Sequence, residues 1–142
     1  MTVSRDELID LARRASALAY APYSHFHVGA ALLLDDGSIV TGANFENASY
    51  GMTLCAETVA IAKANSDGQL RRIVAIAVAG GPEGATLGAE PITPCGRCRQ
   101  IIKEVADLVK IDLPVHCAHA DGHVTYRLSA LLPHGFGPAS LG

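Results

Sequence analysis

No run of about 18 or more unbroken apolar residues occurs in the chain, which excludes an apparent membrane-spanning helix. An excess of basic residues is missing too: 11 Lys and Arg stand against 14 Asp and Glu, a formal charge of −3 with a sequence pI near 6.0. That balance lacks the electrostatic footprint of a protein that grips a phosphate backbone, so a nucleic acid polymer is not the expected partner. The first residues, MTVSRDELIDLARRA, place acidic residues early, are amphipathic and do not have the basic-then-apolar layout of a secretory signal, so the expected compartment is cytoplasmic. Internal repeats and low-complexity tracts are absent as well. What remains is a 142-residue chain that is 49% hydrophobic, 18% charged and 5% aromatic, with a mean hydropathy of +0.26. It is too apolar to be disordered, and residues 1–142 are expected to form one domain.

Ser4 followed by Glu7 has the form of a capping box, and Leu8, Leu11, Ala12, Ala15, Leu18 and Ala19 recur at helical spacing. Pro22 lies in the segment that breaks this helix. Val28–Leu34 and Ile39–Asn47 read as strands around the turn Asp35-Asp36-Gly37. Cys55–Asn65 reads as a helix closed by Ser66-Asp67-Gly68, and Arg72–Ala79 as a short strand. A Gly/Pro-bearing loop is expected over Gly80–Pro94, delivering a helix from Pro94 to about Val109. Pro114–Ala118 and Val124–Leu128 complete the strands, and the tail from Pro133 reads as irregular. Interleaved strands and helices with two hairpins predict an α/β fold, a three-layer α/β/α sandwich around a mixed sheet.

Four cysteines stand at 55, 95, 98 and 117. Cys95-Gly-Arg-Cys98 puts two thiols at i and i+3 on one face of the third helix. Cys55 opens the second helix, so two helix N-termini could converge and offer three sulfurs. Three protein ligands with a fourth position open is the pattern of a catalytic zinc, whereas four close the site as a structural one. Cys117, within Val-His-Cys-Ala, reads as a buried core thiol rather than a fourth ligand. Three thiolates and Zn2+ would carry about −1, which two helix N-termini at about +0.5 each would offset. Glu57 follows Cys55 by two residues, where a carboxylate can reach a metal-activated water without binding the metal. A lone Cys-x-x-Cys also suits a redox pair or a structural knuckle. Cys-Ala-Glu joined to Pro-Cys-x-x-Cys is the arrangement of the zinc nucleobase deaminases.

With these motifs the chain resembles, over nearly its whole length, the small homotetrameric zinc-dependent cytidine deaminases. The resemblance rests on Phe26-His-Val-Gly-Ala-Ala31, Asn44-Phe-Glu-Asn-Ala-Ser-Tyr-Gly51, Cys55-Ala-Glu57, Pro94-Cys-Gly-Arg-Cys-Arg-Gln100 and Leu131-Leu-Pro-His-Gly-Phe136. It implies hydrolytic deamination of cytidine and 2′-deoxycytidine to uridine and 2′-deoxyuridine plus ammonia, a reaction of pyrimidine salvage. Water activated by zinc attacks C4, and Glu57 shuttles the protons. Cys55, Cys95 and Cys98 are the implied ligands. Asn44 and Glu46, two apart on an expected strand and so sharing a face, would hold the ribose, while Phe45 between them points the other way. Phe26 would pack on the pyrimidine, and Phe45 and Ala56 are counted with the substrate-binding residues. By the same resemblance Ala48, Tyr50 and Phe136 complete the pocket of a neighbouring subunit in a homotetramer.

One departure from the family pattern stands out. The arginine that usually follows Cys-Ala-Glu and hydrogen-bonds the ligand sulfurs is Thr58 here, while Arg97 lies between the later cysteines. Arg97 is therefore expected to supply the charge that neutralises the thiolates. Two alternatives stay open on residues alone: deamination of another substrate such as blasticidin S, and a non-catalytic zinc-stabilised binding domain.

Overall fold

The computed structural model describes residues 3–83 and 90–142. Five strands form one sheet in the order β2-β1-β3-β4-β5: β1 is Phe26–Leu34, β2 Ile39–Ala43, β3 Ile73–Pro82, β4 Pro114–His119 and β5 Gly122–Arg127. All neighbours run antiparallel except β3 and β4, whose parallel pairing spans the crossover through a helix. The mixed sheet agrees with the expected fold class.

Helix α1, Arg5–Ser16, starts on the reciprocal capping box of Ser4 and Glu7 and covers one face of the sheet. Its Leu8, Ile9 and Ala12 pack on a carpet of small side chains, Ala31, Ala75, Ala77, Ala79 and Ala118. The opposite face carries the larger residues Leu32, Leu34, Ile76, Val78 and Val115, covered by α2 (Ala56–Ser66) and α3 (Gly96–Val109). The strand period of two sorts β1 between these layers, with Ala30 and Leu32 to one side and Ala31 to the other.

Two glycines set how closely the helices approach. A β-carbon at Gly29 would stand 2.0 Å from the Ala12 carbonyl oxygen of α1, and one at Gly42 would stand 2.6 Å from both Ala56 O and Ala60 N of α2. Gly42 thus lets the first two turns of α2 rest on the backbone of β2, and the residues next to Ala56 are Cys55 and Glu57.

Some elements depart from the sequence expectation. β2 ends at Ala43 rather than Asn47, because Asn44 closes the ladder with its side chain: Val28 N–H donates to Asn44 Oδ1 (2.9 Å) and Asn44 Nδ2 donates to Phe26 O (2.9 Å). Beyond it Phe45 makes isolated bridges to Tyr20 and Leu54. β3 runs on through Gly80 to Pro82, so part of the expected 80–94 loop is strand, and residues 84–89 of that loop lie outside the described residues. Gly80 pairs with Val28, and a β-carbon there would meet His27 O at 2.4 Å, so its glycine serves close packing rather than a turn. A short helix, α4 (Leu128–Leu131), follows β5 where the strand was expected to reach Leu128. No described helix is long and apolar enough to cross a membrane.

None of the seven aromatic side chains belongs to the buried core, and five of them, Tyr20, Tyr23, Phe45, Tyr50 and Phe136, are exposed. Four of these form two contacting pairs, Tyr20 with Phe45 (centroids 6.1 Å apart) and Tyr23 with Tyr50 (5.9 Å).

Candidate active site

Cys55 and Cys95 are each the N-cap residue of a helix, α2 and α3, in extended backbone conformation and with no hydrogen bond from sulfur to the helix's own first turn. An N-cap side chain ordinarily accepts a backbone N–H at this place, so each sulfur is left for another partner. Pro94, expected inside the helix, precedes the cap. Cys98, one turn into α3, is fully buried and turned to the same point. The three sulfurs all lie within 4.8 Å of one another, and Cys55 Sγ and Cys95 Sγ are 3.7 Å apart. Sulfurs bound to a tetrahedral zinc at about 2.3 Å stand about 3.8 Å apart, so the spacing fits that ion, as does the soft all-thiolate donor set.

The thiol electrostatics point the same way. Cys55 is lowered to about 6, chiefly by its hydrogen bond with Cys98, with the neighbouring Cys95 and the charge of Arg97 contributing. Cys98, the partner in that bond, is pushed upward by it and by burial. Three sulfurs in contact share protons that a dication would displace. Thr58 Oγ1 lies 3.6 Å from Cys98 Sγ. The Arg97 guanidinium donates to Thr53 O at 3.3 Å, and no hydrogen bond from it to a sulfur is seen among the described residues.

Cys117 lies outside the sulfur cluster. It is fully buried on β4 among Val115, Ile76 and Leu128, its thiol is pushed up to about 12 by burial, and Sγ faces Val115 O at 3.8 Å. Replacing Cys117 with serine is expected to leave zinc content and turnover unchanged. The hydroxyl in an apolar site costs about 1–3 kcal/mol of stability, readable as a lower Tm. Loss of metal from Cys117→Ser would instead mark a closed four-sulfur site.

Glu57, in the first turn of α2, is only 4% exposed. Burial pushes its carboxyl up to about 7, and the negative charge of Cys55 adds to the rise. It shares a cavity of about 190 Å³ with Phe26, Asn44, Cys55, Cys95 and Thr93, among others. An acid poised near neutrality beside a three-sulfur cluster, on the wall of a small cavity, suits proton transfer to a bound molecule.

Asn44 and Glu46 do not share one strand face. Asn44 lines the 190 Å³ cavity, with its carboxamide already engaged by β1. Glu46 lines an adjoining cavity of about 390 Å³ with Tyr23, Ser24, Tyr50 and Thr53, and Thr53 belongs to both. The Glu46 carboxylate accepts from the Ser24 hydroxyl and from the N–H groups of Tyr23 (3.0 Å) and Ser24 (3.1 Å), which hold its pKa below the usual range. The Phe45 ring lies against Tyr20 instead, and the Ala56 methyl is fully buried in the core, leaving only its backbone to face a ligand. Ala48 and Tyr50 are exposed, as is Phe136.

Residues 3–111 match the family model of the cytidine and deoxycytidylate deaminase zinc-binding region. The chain belongs to this family. Among its deaminase relatives, the cytidine deaminase of Halalkalibacterium halodurans is 45% identical over 135 residues, 94% of this chain and 95% of that protein. That of Mycobacterium tuberculosis is 46% identical over 127 residues, 89% and 84% of the two chains. The crystal structure of the Burkholderia pseudomallei cytidine deaminase superposes with a TM-score of 0.81 at 40% identity, covering 94% of this chain and all of that one. As a member of a zinc-binding deaminase family, the chain has in Cys55, Cys95 and Cys98 a cluster suited to that metal.

Other residues at the site gave no sequence signal of their own. Thr53, Leu54, Ile92 and Thr93 line the cavity from the loops before α2 and α3, where loop residues have no periodicity to read. Arg99 is the tie that seats the α3 N-terminus. Its guanidinium donates to Pro94 O (2.7 Å), Leu131 O (2.8 Å) and Thr93 Oγ1 (3.2 Å).

Proposed function

We propose that the chain catalyses hydrolytic deamination of cytidine and 2′-deoxycytidine, with Cys55, Cys95 and Cys98 holding zinc and Glu57 moving the protons. The observation that carries this reading is the buried Glu57 carboxyl, raised to about 7, on a cavity wall shared with Cys55 and Cys95. Zinc held by three thiolates would supply Lewis-acid activation of water, which makes the nucleophile available near neutral pH. The rest falls to the chain's own groups. Glu57 takes a proton from the attacking water and delivers it to the ring nitrogen beside C4. After the water oxygen has bonded to C4, Glu57 takes the proton left on that oxygen and passes it to the exocyclic nitrogen; the C4–N bond breaks, C4 is left as a carbonyl, and ammonia leaves. A carboxyl poised near neutrality can both accept and return protons, whereas one at the ordinary value would be a poor donor.

Phe26 packs against the base, and Asn44 and Glu46 meet the sugar from their adjoining cavities, Asn44 through the face of its carboxamide not committed to β1. Glu46 suits a ribose hydroxyl because its ionised carboxylate is fixed by Ser24 and Tyr23 and can accept one hydrogen bond more. The Glu46 cavity is open on the single chain, with Tyr50 73% exposed at its rim. This supports a homotetramer in which Ala48, Tyr50 and Phe136 complete the pockets of neighbouring copies, since exposed aromatic clusters are the usual signature of an interface.

The test is an ultraviolet assay of nucleoside loss with and without a chelator. Cytidine and deoxycytidine are expected to be consumed, with activity removed by the chelator and restored by zinc. Consumption of blasticidin S or adenosine in their place would contradict the substrate assignment.

Arg97 is assigned the role of offsetting the thiolate charge at a distance, from its post on Thr53 O two residues before Cys55. Arg97→Ala is expected to weaken zinc retention about tenfold in chelator competition, the lower end for groups that support metal ligands. Unchanged retention and rate would leave Arg97 as a solvated surface residue.

A further inference from the structure

The first turns of α3 do two things at once. Cys95 and Cys98 turn toward the sulfur cluster, and the next two residues, Arg99 and Gln100, reach the other way to the C-terminal segment. Arg99 holds Leu131 O at the end of α4, and Gln100 Nε2 donates to Phe136 O at 2.8 Å. Between these two ties the chain turns sharply, with His134 in the left-handed region (φ 57°) and Gly135 closely packed on the Leu132 side chain. Phe136 itself is 56% exposed, outside the cores of its own chain. Packing therefore does little to aim its ring. The backbone at 136 is tied to the body of the domain through Gln100.

We propose that Gln100 is a positioning residue that presents Phe136 to the pocket of a neighbouring copy. This rests on the reading that Phe136 completes that pocket. The physical need is plain: a ring that must insert into a second subunit loses affinity if its backbone wanders before docking, and one hydrogen bond to the carbonyl of the same residue is the most direct restraint. Gln100 is solvent-exposed and stands two residues after Cys98 on α3, and the one side-chain hydrogen bond it makes among the described residues is its donation to Phe136 O.

The variants separate this role from a general structural one. Gln100→Glu keeps the shape but removes the N–H donor, whereas Gln100→Lys restores a donor on a chain long enough to reach the carbonyl. Gln100→Ala and Gln100→Glu are expected to raise KM for cytidine about 3- to 10-fold, the effect of one neutral hydrogen bond, with kcat within about twofold. Zinc content, Tm and sedimentation should stay as in the unmodified protein, and Gln100→Lys should recover most of the KM. Phe136→Ala is measured beside them and is expected to raise KM further. A raised KM in Phe136→Ala with none in Gln100→Ala overturns the role of Gln100 and spares that of Phe136. No change in Phe136→Ala overturns the reading beneath the proposal, and the proposal with it. Parallel losses of kcat, zinc and Tm in Gln100→Ala also overturn it, since they mark a structural tie.

Discussion

Glu57→Gln should keep its zinc and lose at least about 10²-fold in turnover, or about 2.7 kcal/mol of transition-state stabilisation. The amide has the same shape and occupies the same buried place on α2, so neither packing nor the three sulfurs should notice the change. What is lost is a group able to accept a proton and give it back. Burial favours the neutral form of this carboxyl, pushing it up to about 7, which suits a group that must both take up and return a proton. Zinc measured by elemental analysis and turnover measured by loss of cytidine absorbance check the two halves separately. Near-normal turnover would remove Glu57 from the proton path. Joint loss of zinc and turnover would make it a support of the metal instead.

The second large effect is predicted far from any reacting atom. Gly42→Ala would bring a methyl to 2.6 Å from both Ala56 O and Ala60 N, backbone atoms that cannot step aside unless α2 moves. Overpacking of this kind costs about 1–3 kcal/mol and should lower Tm by several degrees. Because α2 begins with Cys55 as its cap and carries Glu57 in its first turn, the displacement reaches the site. Misplacement of a catalytic group approaching 1 Å can cost about 10²-fold, so a fall in kcat of about tenfold or more is expected. Gly29→Ala supplies the contrast. It strikes the Ala12 carbonyl on the other face of the sheet, and α1 carries no site residue, so stability should fall while the kcat of the folded fraction stays close to normal. Equal kcat losses in the two variants would show that the glycines act through stability alone.

Part of the layering was legible in residue types. Ser4 and Glu7 announced α1 and Asp35-Asp36-Gly37 the first hairpin, whereas β1 is apolar throughout Val28–Leu34, so its division between the two faces of the sheet shows only in the packing. The sulfur cluster was legible from spacing, since Cys95 and Cys98 lie a helical turn apart and Cys55 opens another helix. Less visible was that Cys55 and Cys95 are caps rather than first-turn residues, a difference of one position in backbone conformation. Asn44 misled most. The strand expected to run on to Asn47 stops here, because the Asn44 carboxamide bonds Val28 N–H and Phe26 O on β1 where the next backbone groups of β2 would have paired. A side chain that stands in for a backbone ladder leaves no periodic trace. Arg99 and Gln100 are of the same kind: each reaches a carbonyl more than 30 residues away, Leu131 O and Phe136 O, which tertiary structure and not residue type brings near.

X-ray absorption at the zinc edge of the purified protein tests the central claim most directly. One zinc per chain with three sulfur neighbours at about 2.3 Å and one lighter oxygen or nitrogen neighbour is the predicted result. Four sulfurs around the ion, or a protein that holds no zinc, would contradict it.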